Sequence, residues 1–233
     1  MKNLTNVLVF VVLIFLSASS MADEDEDKSA AISGTVFMPQ VKKERRTFRG
    51  RIYRNRLATA KPSKNDNETL QSSFIDVIIS AQPLSFRTDT KPLPDAKILQ
   101  LNAAFVPHVL PVTPGTEVQF INRDRFFHNV FSITPGSRFN IGRKPTDEVE
   151  RRTITKIGEI KLFCDIHAQM NAVILCLSTP FFTRVHPDGR YHLPDLPKGL
   201  YRIKVYHPDM QEVSEVIEIK AGESLIRNYN LSR

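Results

Sequence analysis

Phe163-Cys164-Asp165-Ile166-His167-Ala168-Gln169-Met170 (FCDIHAQM) is the stretch on which the reading of this chain turns. It is flanked by two strand-like segments, Gly158–Phe163 (GEIKLF) upstream and Ala172–Leu177 (AVILCL) downstream. Both are short and bounded by polar or Gly-containing sequence, as strands are. A tight segment between two such strands points to a β-sheet protein with its chemistry at a loop end.

Working outward, the same character recurs. Thr116–Asn122 (TEVQFIN) alternates cleanly after the Pro114–Gly115 turn. Ile98–Phe105, His108–Val112, Phe126–Ile133 and Arg152–Thr155 read as further strands, and Thr134–Glu150 reads as a loop between sheets. This is roughly the strand count of a small Greek-key sandwich. Before it, Ala31–Met38 and Phe74–Ser80 are strand-like. After Pro180 the turns Pro187–Gly189 and Pro197–Gly199 separate short strands through Leu231, a second, smaller β-unit. Helical periods are scarce, prolines number 15, and the expected class is all-β.

The seven residues Cys164–Met170 carry a thiolate, an imidazole and a thioether at spacings of three and three. Held at the mouth of a sandwich, so short a segment turns all three side chains inward. One more imidazole from a neighbouring strand end gives a trigonal His₂Cys set with a weak axial Met. Those are the donors of a blue-copper electron-transfer site, not of zinc or an open catalytic metal. Soft sulfur holds Cu(I), imidazole suits both oxidation states, and a site acceptable to both changes little on electron transfer. His128, in Phe126-Phe127-His128-Asn129-Val130, is the candidate fourth ligand. Asn129 is expected to hydrogen-bond the ligand loop, and Phe126, Phe127 and Phe163 to wall the site from water. The metal set is therefore His128, Cys164, His167 and Met170, binding one type 1 copper ion.

The remaining composition sets the context. Lys2, the apolar run Val7–Leu16 and the small residues Ala18, Ser20 and Ala22 read as a signal peptide. The run is well short of the ~20 apolar residues that span a bilayer. The protein is expected to be periplasmic or secreted, touching membrane only through that segment if it stays uncleaved. Of the net charge of +7, much lies in Lys42–Arg56 (KKERRTFRGRIYRNR), and export argues against nucleic acid as partner. Val41–Gln71 shows no sustained apolar period and reads as a long excursion or partly disordered insertion. His108, His186, His192 and His207 lack the short spacings of a second metal site, and no paired carboxylates suggest acid–base catalysis.

Cys-x-x-His-x-x-Met after an apolar-aromatic strand, with an upstream His-Asn-Val, resembles the cupredoxins, and the short ligand loop looks most like the amicyanin type. Val112–Asn122, His128–Ser132, Phe163–Met170, Asp188–Tyr191 and Leu196–Tyr201 together resemble exported cupredoxin-like proteins usually labelled methylamine utilization proteins. The resemblance implies a cupredoxin Greek-key β-sandwich plus a small sandwich similar to carboxypeptidase-regulatory or transthyretin-like domains. It implies a non-enzymatic electron carrier with a redox partner protein, and His167 as the exit for electrons. The organisation then expected is a signal peptide over 1–22 and the first strands of the small domain over 29–94, with the insertion at 41–71. The copper domain follows over 95–180, and the remainder of the small domain over 181–233. Methylamine chemistry itself is specified by nothing in the sequence. Two rivals share its features: a copper storage or delivery protein, and a metal-free binding module with Cys164 and Cys176 bridged.

Overall fold

A computed structural model describes residues 28–39 and 74–233; the expected signal segment and the insertion at 41–71 lie outside the described residues. The chain is all-β, as expected. It opens with β1 (Ala30–Phe37) and β2 (Ile78–Pro83). Then come β3 (Lys97–Leu101), β4 (Ala104–Val106), β5 (Val109–Val112), β6 (Thr116–Asn122), β7 (Phe131–Ser132) and β8 (Phe139–Asn140). They are followed by β9 (Val149–Ile154), β10 (Gly158–Phe163) and β11 (Asn171–Cys176). The last six are β12 (Phe182–Arg184), β13 (Arg190–Leu196), β14 (Gly199–Tyr206), β15 (Val213–Ile219), β16 (Ser224–Ile226) and β17 (Tyr229–Asn230). No helix among the described residues is long and apolar enough to cross a membrane.

Four sheets form two sandwiches. In one, β13-β1-β16, with β17 also paired to β1, faces β12-β2-β14-β15. Its core draws Ile32 and Val36 from β1, Ile79 and Ala81 from β2, and Tyr201, Ile203 and Val205 from β14. Strand alternation explains the choice, since every second residue of each strand points inward. Tyr201 is fully buried and still donates its hydroxyl to the Pro197 carbonyl at 2.7 Å, so no polar atom is stranded. Gly34 lies where β1 passes Arg227, and a β-carbon there would overlap the Arg227 carbonyl.

The other sandwich sets β5-β11-β10-β7-β8 against β4-β3-β6-β9. Val118 and Phe120 of β6, Ile160 and Leu162 of β10, and Ala172, Ile174 and Cys176 of β11 fill it. The alternate residues of β11, Val173 and Leu175, point the other way. They join Val109 in packing against Ile78 and Tyr206 of the first sandwich. Strand β11 is thus buried on both faces, which is why Ala172–Leu177 is apolar without alternation.

Sequence boundaries shift in four places. Ile75–Asp76 is a turn, and β2 begins only at Ile78. Ile98–Phe105 is a hairpin, turning at Asn102 and Ala103 with φ of 55° and 54°, the type I′ geometry that suits strand twist. The expected loop 134–150 contains β8 and the first residues of β9. Of Phe126–Ile133, only Phe131–Ser132 is strand. The preceding backbone is held by side chains instead: Asn122 Nδ2 donates to the carbonyls of Phe126 and Lys144 at 2.8 and 2.9 Å.

Candidate metal centre

The ligand loop starts from the last pair of the β10–β11 hairpin, Phe163 opposite Asn171. The Cys164 N–H donates to the Met170 carbonyl at 3.3 Å, and the Met170 N–H to the His167 carbonyl at 2.9 Å. Cys164 and Met170, 6% and 1% exposed, turn into the core, while Asp165, Ile166, Ala168 and Gln169 face solvent and His167 is half-buried. The spacing of three and three is thereby converted into direction: one residue at each end goes inward, and the imidazole stands at the rim.

His128 enters from the loop after β6. Its backbone pairs with Lys144, N–H to carbonyl at 3.3 Å and the reverse at 2.8 Å. Its side chain has no solvent exposure. Nε2 donates to Asp124 Oδ2 at 2.7 Å, and Nδ1 lies 3.2 Å from Nδ1 of His167. The ligand atoms of His128, Cys164 and His167 all lie within 4.8 Å of one another, a grouping of three such donors found only here among the described residues. A carboxylate on Nε2 fixes the tautomer and leaves the Nδ1 lone pair directed at the shared space.

Asp124 is a site residue that residue spacing alone does not reveal. Its carboxylate also accepts the N–H groups of Asn102 at 2.7 Å and Ala103 at 2.9 Å, capping the β3–β4 turn. Its own N–H donates to Asn122 Oδ1 at 2.9 Å, and its carbonyl accepts the Thr146 hydroxyl at 2.5 Å. Burial alone would raise its pKa; the bonds from Ala103, His128 and Asn102 prevail and hold the carboxyl below its ordinary value. The only trace in sequence is an Asp four residues before a His in a polar turn, a pattern too common to single out.

Other expectations are corrected. Asn129 is buried, but its Oδ1 has no partner, and its side chain makes no hydrogen bond to the ligand loop. Phe127, 57% exposed, has no ring contact with either imidazole and does not wall the site, whereas Phe126, 47% exposed, covers both imidazoles. Phe126 lies outside, its ring 4.9 Å from that of His128 and 5.4 Å from that of His167. Phe163 is half-buried against Phe131, with ring centroids 5.8 Å apart. Both cysteines are free and buried. Cys176 pairs with Gly158 at the far end of β11 from the loop, about 16 Å along a strand and well beyond disulfide reach. Burial pushes its thiol up to about 11.

Two directed imidazoles and one thiol fit a borderline-to-soft ion, and the grouping contains no carboxylate that would favour a hard cation. No family model and no curated protein matches the chain. Part of it is similar to a copper-containing nitrite reductase from Thermus scotoductus SA-01, at 29% identity and a TM-score of 0.35. That match covers 41% of this chain and 25% of the reductase, so it spans about a quarter of the reductase's length. A purple cupredoxin from Nitrosopumilus maritimus matches at 22% identity over 36% of this chain and all of its own, with a TM-score of 0.33. A reduced Cu(I) form of an amicyanin mutant matches at 17% identity, 42% and 98% coverage, and a TM-score of 0.34.

Proposed function

We propose that this chain is an exported one-electron carrier of cupredoxin type, in which His128, Cys164, His167 and Met170 would hold a single type 1 copper ion. One observation carries the reading: an imidazole nitrogen from each of two histidines and one cysteine sulfur, from two separate loops, share a space in which all lie within 4.8 Å, the two Nδ1 atoms 3.2 Å apart. Bound there, copper would supply one-electron redox chemistry. The protein's part is to keep the donors still. Asp124 and the Lys144 pairing hold His128, and the closed ends of the loop hold Cys164 and Met170. Donors that do not move between oxidation states keep the barrier to transfer low.

His167, half-buried at the rim beside Phe126, is the exit for electrons in this reading. Phe126, Phe127 and Ile166 are exposed around that rim, and Arg123, Arg125 and Arg143 are exposed near them. Arg123 and Arg143 are paired with Asp147 and Asp165, so an apolar surface with a mixed, largely paired rim suits a redox partner with an apolar contact and a polar edge. The copper unit is assigned to 95–180. The small sandwich is assigned β1 and β2 from 29–94 together with 181–233, and the N-terminal segment directs export in this reading.

Purified chain mixed with Cu(II) should turn intensely blue, and Cys164→Ala should abolish the colour. Fast reversible electron exchange at an electrode then separates a carrier from a storage or delivery protein. A colourless mixture from folded, reduced protein would sink the assignment.

A further inference from the structure

The seam between the sandwiches is apolar at its centre, where Ile78, Val109, Val173, Leu175 and Tyr206 meet. Polar side chains gather where β11 runs into the ligand loop. Asp76 Oδ2 lies 2.9 Å from His108 Nδ1, His108 Nε2 lies 3.1 Å from Asn171 Oδ1, and Asn171 Nδ2 donates to the Gln169 carbonyl at 3.0 Å. The line begins in the segment leading into β2 and ends inside the loop, between His167 and Met170.

The acceptors at its two contacts dictate the state of the ring. A carboxylate oxygen brings no hydrogen to Nδ1. The Asn171 amide spends its nitrogen on the Gln169 carbonyl, so its oxygen faces Nε2. Both ring nitrogens must donate, and only an imidazolium does so. The surroundings agree: the bond to Asp76 raises the His108 pKa most, burial opposes it, and Asn171 and the charges of Asp76 and Asp209 add to the rise. Arg184 also faces this cluster, donating to the carbonyls of Ile75 and Val109. His207 is buried, accepts the Asp209 N–H at Nδ1, and leaves Nε2 without a partner. Tyr206, near Glu159, completes the set.

We propose that Asp76, His108 and Asn171 are positioning residues for the ligand loop, forming a strut by which the small sandwich holds the Gln169 carbonyl and which is complete only while the His108 ring carries both protons. Loss of one proton sets a bare ring nitrogen against an oxygen. The cheapest repair turns the Asn171 amide over, so that its N–H₂ serves the ring and the Gln169 carbonyl loses its donor. The loop then gains freedom between two of the residues assigned as ligands. The effect on a bound ion rests on the preceding reading; the effect on the loop does not.

The test is a pH titration of the metal-free, ¹⁵N-labelled full chain. Long-range ring correlations follow His108, and backbone amide signals follow Gln169 and Met170. In wild type the Gln169 and Met170 signals should move with a component whose midpoint matches His108. Asn171→Ala keeps every imidazole and removes only the link. His108 should still titrate, at a somewhat lower midpoint, while that component is cut at least threefold. Asp76→Asn should lower the His108 midpoint. Amides indifferent to His108 in wild type, or an equal displacement in Asn171→Ala, would overturn the strut. In the copper-loaded protein the reduction potential should inflect at the same midpoint in wild type and not in Asn171→Ala. A chain that takes up no copper refutes the preceding section, and the metal-free titration then decides the strut by itself.

Discussion

The carboxylate of Asp124 meets three donors: the N–H groups of Asn102 and Ala103, and Nε2 of His128. Alanine there would leave all three without an acceptor, at about 1–3 kcal/mol for each donor left buried. We expect Asp124→Ala to lose roughly 2–4 kcal/mol in denaturant unfolding. Copper affinity measured by chelator competition should fall about 10–100-fold. Asparagine rescues only part, because one of its two ends would present N–H₂ to an N–H. The two cysteines should behave oppositely. Cys176→Val, in a core that already treats the thiol as a hydrophobe, should keep the blue colour, and native Cys176 should resist alkylation near neutral pH. What was legible at this scale was donor chemistry: sulfur and imidazole at short spacing. Asp124 was not, because its work is done on partners brought to it by a hairpin about 20 residues upstream.

Among elements, β6 and β10 match their sequence reading residue for residue, since alternation is a direct consequence of one buried face. The loop carrying Cys164, His167 and Met170 was legible for the same reason, being bounded by two such strands. Phe126–Ile133 misled because its apolar residues imitate a strand, while its backbone groups are satisfied by Asn122 and Lys144 rather than by a ladder. That exchange is what points His128 inward. Gly34 gives a test of how tightly an element is seated. A β-carbon at that position meets main chain rather than a flexible side chain, so β1 and the Arg227 segment must part. Gly34→Ala should cost about 1–3 kcal/mol or more, read as a lowered melting temperature of the metal-free chain.

For the whole molecule, composition and turn spacing gave the all-β class. They could not give the way the two sandwiches join, because Ile78, Val173 and Tyr206 look like ordinary core residues in isolation. The seam predicts cooperative unfolding. The chain has no tryptophan, and the described tyrosines, Tyr191, Tyr201, Tyr206 and Tyr229, all belong to the small sandwich. Tyr53 lies outside the described residues; in a Tyr53→Phe background, tyrosine emission follows one sandwich and copper absorbance the other. On heating, the two signals should change together, and copper should shift the tyrosine transition upward by mass action. Two separated transitions would show bodies that melt independently. The double burial of β11 carries a last consequence, for change over generations. A substitution in the small sandwich that loosens its grip on Val173 or Leu175 disturbs the strand from which the metal loop hangs. A module that supplies none of the proposed ligands among its described residues is in that way answerable for the behaviour of the loop that carries three of them.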